Sequence, residues 1–454
     1  MKLYINIVFA LIFSSVLASC NSSDDESTPA PAYPQYGTRF EKMPKKEDAV
    51  IYQVNIRAFS EAGTLKGVQD KLTYIQELGV NVIYLMPIYP VGAVKSVNSP
   101  YCVKDYKAVN TEFGTLEDLR TLVDEAHKKN MGVILDWVAN HTSWDNAWIT
   151  AHPDWYQKDD KGKIISPPGF NDVAQLDYTN TEMKKEMIDA MSYWVYSANI
   201  DGFRCDYADN VPQSFWTDAI ASIRKIKNQN FLMLAEGSKV THFVAGFDYT
   251  FGFGYFGALK KIFSEGKPAT SIQDANAAEY ATNYVESQRI VRYTSNHDVN
   301  LSDGTPLELF GGKQGSIATF VTAAYMKSVP MIYNAQEVGY AKRIDYFSHV
   351  PIDWSTADLD MLAEYKKIIA FRNSSDAIKR GTFKGYSSDA VSVFSMETDT
   401  EKVLVLSNLT SSAAKYIVPA PLSKIAWKNA FGGASFTLTS EITLQPYQYI
   451  VLKN

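Results

Sequence analysis

The run "IDGFRCDYADN", Ile200 to Asn210, has the look of a strand yet carries an arginine and an aspartate two residues apart. Alternate side chains of a strand share a face, so Arg204 and Asp206 project together while Phe203 and Cys205 point the other way. A buried face that holds both charges is either a structural ion pair or part of a site. The rest of the chain has to decide.

Seven further runs of this kind lie between about residues 50 and 375: "AVIYQVNIR", "NVIYLMP", "GVILDWV", "FLMLAEG", "GFDYTF", "IVRYTSN" and "VPMIYNA". Helical patterns separate them. "TLEDLRTLVDEAHKKN" opens on Thr115 as N-cap with Asp118 three residues on, carries apolar residues at helical spacing, and ends in basic residues and Asn130. "TEMKKEMIDAMSYWVYSA" and "QGSIATFVTAAYMK" show the same period. Eight strands alternating with helices predict an α/β fold, a (β/α)8 barrel, over residues 46–377. A doubly wound sheet is the alternative, but no GxGxxG follows an early strand. The connection at 141–177, after the third strand, is long and rich in Trp, Pro, Asp and Gly, and it reads as a small inserted subdomain. From 378 to 454 short alternating runs around turn signals predict a C-terminal antiparallel β domain, a small β-sandwich.

The N-terminal "MKLYINIVFALIFSSVLASC" has one Lys, an apolar run too short for a membrane span, and a small-residue end, as in a signal peptide over residues 1–20. "LASC" resembles a bacterial lipobox, which implies a lipid anchor on Cys20. Residues 21–45 are polar, acidic and Pro-rich at first and read as a disordered tether. The Ser-rich then acidic start of that tether resembles the surface-export signal of Bacteroidetes lipoproteins. The expected location is the outer membrane, facing outward, with the periplasmic face as the alternative. A net charge of -6 without a basic tract argues against a nucleic-acid partner. Beyond Cys20 only Cys102 and Cys205 remain, so disulfides do not organise the fold.

In such a barrel the working groups sit at the C-terminal ends of the strands. Asp136, Asn140 and His141 lie at or past the end of the third, Arg204 and Asp206 end the fourth, Glu236 the fifth, and Asn296, His297 and Asp298 the seventh. Polar groups converging on one rim from separate strands are hard to explain as independent ion pairs. Two carboxyls roughly 5 Å apart suit double-displacement glycoside hydrolysis. The nucleophile has to stay ionised, and Arg204 beside Asp206 would lower its pKa. Glu236, ending an apolar run, would have its pKa raised as an acid catalyst requires. Zinc hydrolysis is the competing chemistry, but there is no HExxH and the chain has only 6 His.

At these residues the sequence resembles family thirteen of the glycoside hydrolases, the α-amylase family. "DWVANH" matches its DxxxNH stretch, "GFRCD" its GxRxD stretch, Glu236 in "LMLAEG" its acid/base position, and "NHD" at 296–298 the segment of its third carboxylate. The resemblance implies that Asp206 forms a covalent glycosyl intermediate, that Glu236 protonates the leaving oxygen, and that Asp298 holds ring hydroxyls of the sugar before the scissile bond. It implies that His141, His297 and Asn296 contact substrate, that Arg204 orients Asp206, and that Tyr101 in "SPYCVKDY" stacks on the same sugar. Asp136 would be structural, beneath the floor of the site. It also implies a structural Ca2+ ion held by Asn140 and Asp177, oxygen ligands of the kind that ion takes; the "YADN" after Asp206 replaces the Lys-His pair that many amylases have there.

The substrate expected from this resemblance is an α-1,4-glucan, starch or maltooligosaccharide. "AQLDYTN" in place of QPDLN, and the short "SEAGTLKGV" in place of a DxNxDG calcium loop, favour α-1,4 over α-1,6 action. A transglycosylase, an α-1,6-acting glucosidase and a non-catalytic glucan-binding lipoprotein are the alternatives. A pure binder would have no need of all three carboxylates.

Overall fold

Eight short strands, each buried along its whole length, form the centre of the molecule: β1 (Ile51–Val54), β2 (Val82–Leu85), β3 (Gly132–Val138), β4 (Gly202–Asp206), β5 (Leu232–Ala235), β6 (Tyr249–Phe251), β7 (Arg289–Tyr293) and β8 (Ser328–Tyr333). All neighbours run parallel, and β8 pairs back onto β1 to close the barrel. This computed structural model describes residues 33–226, 230–281 and 288–454. The expected lipid anchor at Cys20 and the expected signal peptide lie outside the described residues. Among those described, no helix is long and apolar enough to cross a membrane.

The helices between strands follow their sequence signals. Thr115 and Asp118 form a reciprocal capping box at the start of Leu116–Lys128, and Asn180 caps Thr181–Ala198 by accepting from the N–H groups of Glu182 and Met183. The alternation read in "GFRCD" holds: Phe203 packs edge-on against Trp137 in the layer outside the barrel, while Arg204 turns inward. Gly202 makes this strand possible. Its φ is +152°, and a Cβ there would lie 1.9 Å from the carbonyl oxygen of Leu232 on the adjacent strand.

One feature differs from the sequence reading. Residues 33–45 were expected to belong to the tether, but from Tyr33 onward the chain is docked on the barrel. The Tyr33 hydroxyl bonds Asp189, Tyr36 donates to Asp124 at 2.7 Å, and the Phe40 ring stacks on His127 at 4.2 Å. Aromatic residues in a polar, Pro-rich stretch supply the apolar area that such composition otherwise lacks. The 141–177 connection contains a three-residue ribbon, His141–Ser143 paired antiparallel with Val173–Gln175, a short α-helix at Ala147–Ala151 and a 3-10 turn at Pro153–Trp155.

After the helix Leu359–Ser374 the chain enters a six-stranded antiparallel sheet over which a two-stranded ribbon packs. Residues Phe394, Met396, Val403 and Val405 of that sheet join the barrel's core, whereas Val391, Val393, Leu404 and Leu406 join the C-terminal domain's own. The period-2 pattern thus serves two cores at once.

Candidate active site

The register of the barrel sets the first contact. Asp136 on β3 is the Cα partner of Arg204 on β4, so both side chains enter the barrel at the same level. Arg204 is buried, and its guanidinium reaches three carboxylates: Asp136 at 2.6 Å and Asp206 at 3.0 Å from Nη1, and Glu236 at 2.7 Å from Nη2. Asp206 and Glu236 therefore hang from the two terminal nitrogens of one planar group. Double displacement needs two carboxyls held close together, on a scale of ~5 Å, and attachment to one guanidinium is a way to hold them so. Glu236 is held from its other side by the backbone N–H of Tyr207, which donates to Oε2 at 2.7 Å. Tyr207 follows the strand end in a left-handed conformation, φ 49° and ψ 37°, and this turn aims its N–H back into the site.

Beneath this cluster, Asp136 is fully buried and also accepts from Tyr84 at 2.6 Å and Tyr101 at 2.9 Å. The proton positions follow from this. The single Tyr101 hydroxyl proton goes to Asp136, so the 2.6 Å contact between that hydroxyl and His297 Nε2 requires Nε2 to donate. His297 Nδ1 then accepts from Gln53 at 2.8 Å, which makes the imidazole neutral. Burial agrees, pushing both His297 and His141 down to about 4.

The expected depression of Asp206 by Arg204 is not what the structure gives. Burial and then the Glu236 charge push the Asp206 carboxyl well above the usual aspartate range, and Arg204 pulls it only part of the way back. One guanidinium divided among three carboxylates cannot neutralise them all. Burial likewise raises Asp136, with Arg204 again opposing.

Above the cluster opens a cleft of about 740 Å³ lined by Tyr101, His141, Asp206, Glu236, His297 and Asp298, among others. Asp298 is the most open of the three expected carboxylates, its side chain 46% exposed against 12% for Asp206 and 19% for Glu236. Phe170, Tyr207, Tyr346 and Phe347 give the cleft an aromatic rim. Tyr101 presents its ring to the cleft and stacks on His297 at 5.4 Å.

One expectation needs correction. Asn296 does not line the cleft: it is buried, and its side-chain oxygen accepts from the N–H groups of Asp298 and Val299, capping the turn that carries His297 and Asp298. The oxygens expected to ligate calcium are engaged by the protein's own donors. Asn140 is taken up in a reciprocal amide pair with Gln175, and Asp177 Oδ1 accepts from the Thr179 N–H and hydroxyl. No group of three or more His, Cys, Asp or Glu that could hold a metal occurs among the described residues. The residues present do not fit the ion. Sequence reading missed Gln53, Tyr84, Tyr207 and Phe170. For the first two a signal existed, since each is the inward-facing polar group of an otherwise apolar strand.

A closed parallel barrel with two carboxyls paired at the C-terminal rim, under a sugar-sized cleft, is the framework of a glycosidase. The family model "Alpha amylase, catalytic domain" matches residues 23–163 and 155–357, and the chain belongs to that family. It is 28% identical over 404 residues to alpha-amylase 2 of Dictyoglomus thermophilum, covering 82% of this chain and 68% of that protein. To the cyclomaltodextrinase of Geobacillus thermopakistaniensis it is 24% identical over 423 residues, covering 86% and 70%. The crystal structure of an alpha-amylase from Lactobacillus plantarum superimposes with a TM-score of 0.82 at 25% identity, over 90% of this chain and 99% of that one.

Proposed function

We propose that the protein is a retaining α-glycoside hydrolase of α-1,4-glucans, with Asp206 as nucleophile and Glu236 as acid and then base. The observation that carries this reading is the attachment of both carboxyls to one buried guanidinium, at the floor of a cleft that Asp298 also enters. In the first step Asp206 attacks the anomeric carbon and the C–O bond to the leaving sugar breaks, while the Glu236 proton passes to the departing oxygen. In the second, Glu236 takes a proton from water, whose oxygen displaces Asp206 and restores the α configuration. Tyr101, His141, His297 and Asp298 hold the sugar before the scissile bond. The relatives named alpha-amylase and cyclomaltodextrinase support an α-glucan as substrate.

Asp206→Asn should lower starch and maltooligosaccharide cleavage by several orders of magnitude while the protein keeps its circular dichroism spectrum and melts cooperatively. Appreciable turnover in that variant, or a β-configured first product in wild type, would refute the assignment. We extend the proposal to location: the lipobox-like "LASC" supports a lipid anchor on Cys20 at the outer membrane. Labelled fatty acid should enter the wild-type protein and not Cys20→Ala; equal labelling would dismiss the anchor.

A further inference from the structure

We propose that the Gln175 side chain does in this protein the work of a bound cation: it gathers the oxygens at the foot of the third loop and, through Asn140, fixes the orientation of His141. Gln175 lies directly opposite His141 in the antiparallel ribbon. Its amide nitrogen donates into three oxygens, the Asn140 carbonyl at 3.0 Å, Asn140 Oδ1 at 3.1 Å and the Leu176 carbonyl at 3.3 Å. Three uncharged oxygens converging on one point are the donor type that a hard cation takes. Here an –NH2 group sits at that point, with two protons to share among them.

Only one orientation of the amide works. Reversing it would set Gln175 Oε1 against two backbone carbonyls and the Asn140 oxygen. In the orientation present, Oε1 accepts from Asn140 Nδ2 at 3.2 Å, and the same Asn140 nitrogen lies 3.2 Å from His141 Nδ1. Asn140 is buried and both polar atoms of its side chain are engaged. Since Asn140 donates to Nδ1, His141 carries its proton on Nε2. Gln175 is therefore a positioning residue: it acts on the cleft-lining imidazole without touching the cleft itself.

The charge count argues the same way. Cation affinity in oxygen sites rises with the number of carboxylate ligands. None of the three oxygens around Gln175 belongs to a carboxylate, and Asp177 Oδ1 is turned to Thr179. A covalently attached amide is present at every cation concentration, so the loop keeps its shape when calcium is scarce.

The test uses the whole protein and two variants. The wild-type melting temperature should be the same in EDTA and in excess calcium chloride. Gln175→Glu replaces the two N–H donors with a carboxylate facing three oxygens; its melting temperature should fall by about 2–4 °C in EDTA and recover when calcium is added. Gln175→Ala should lower kcat on maltooligosaccharides about 10-fold with little change in KM, and Gln175→Glu should regain most of that loss with calcium. Melting of the wild type that drops in EDTA and is restored by calcium would overturn the proposal. So would a Gln175→Glu variant indifferent to calcium, or unaltered kcat in Gln175→Ala. The kinetic arm rests on the function proposed above and the thermal arm does not. A wild type that cleaves no α-glucan would thus sink that function and leave the thermal result to judge Gln175.

Discussion

Arg204→Lys separates the two tasks of the shared guanidinium, supplying charge and setting geometry. The lysine ammonium keeps the positive charge but is a single point on a flexible stem, and it cannot span contacts to Asp136, Asp206 and Glu236 together. Asp136, fully buried at the base, is the carboxylate that can least do without a partner. Suppose the ammonium settles there. Its charge then moves from about 4 Å to about 6 Å from the Asp206 carboxyl, and at an effective dielectric of about 20 the attraction falls from about 4 to about 3 kcal/mol.

A loss of about 1.4 kcal/mol corresponds to one pH unit. Asp206 has to be a carboxylate to attack, and activity is lost as pH falls through its already raised pKa, so weakening the cation moves the acid limb further up. The acid limb of kcat/KM should rise by about one pH unit. The plateau should drop about 100-fold, because the two reacting carboxyls lose their common strut. Profiles of kcat/KM against pH on a maltooligosaccharide, with a thermal melt at each pH, decide the matter. An acid limb that stays in place or moves down in a folded Arg204→Lys protein would refute the reasoning.

Glu337, fully buried, accepts from Tyr52 and Tyr74 at 2.7 Å each, and burial pushes it up to about 6. Its proton is held more tightly folded than unfolded, so its contribution is complete below about 4.5 and lost as pH rises through about 6. That amounts to about 2 kcal/mol, which Glu337→Gln should abolish; equal pH dependence of melting in both proteins would contradict it. Gly202→Ala should give insoluble protein, because the added carbon has no room beside the Leu232 carbonyl, and a folded, active variant would show that the strand can shift. Tyr101→Phe keeps the ring over His297 but removes the hydroxyl between that imidazole and Asp136; kcat/KM should fall about 10-fold, and an unchanged value would mean the relay does not orient His297.

The barrel was legible because its strands are short runs of β-branched and aromatic residues punctuated by helix caps, and both signals are local. The three-residue ribbon at 141–143 and 173–175 was not, since its strands are too short to show a period and find each other across thirty-odd residues. Residues 33–45 were misread for a related reason: composition judges a segment alone, whereas Tyr33, Tyr36 and Phe40 are ordered by helices 80 to 160 residues away. In the site, the carboxylates and histidines at strand ends were readable from type and position. Asn296 was misassigned because an asparagine beside two functional residues looks the same in sequence whether it touches a ligand or caps the turn. The charge state of Asp206 was beyond sequence reading. It depends on how many anions one arginine serves, and Asp136 joins that count only through the β3–β4 register.

That count bears directly on catalysis. When the proton that the first step requires is on Glu236, Asp136 and Asp206 still share a single guanidinium and Asp298 stands in the same cleft, so carboxylates outnumber cations there. A neutral glucan does little to relieve this on binding. The transition state does, because cleavage gives the sugar ring oxocarbenium character, positive charge developing within reach of the raised Asp206. An interaction that strengthens only as the bond breaks lowers the barrier without deepening the ground-state complex. A fully compensating second arginine would have made the resting protein more comfortable and the reaction slower. With the acid protonated one cation still serves two anions in a buried site, which leaves Asp206 reluctant to stay charged, and a reluctant anion is the one most stabilised by a cation that exists only at the top of the barrier.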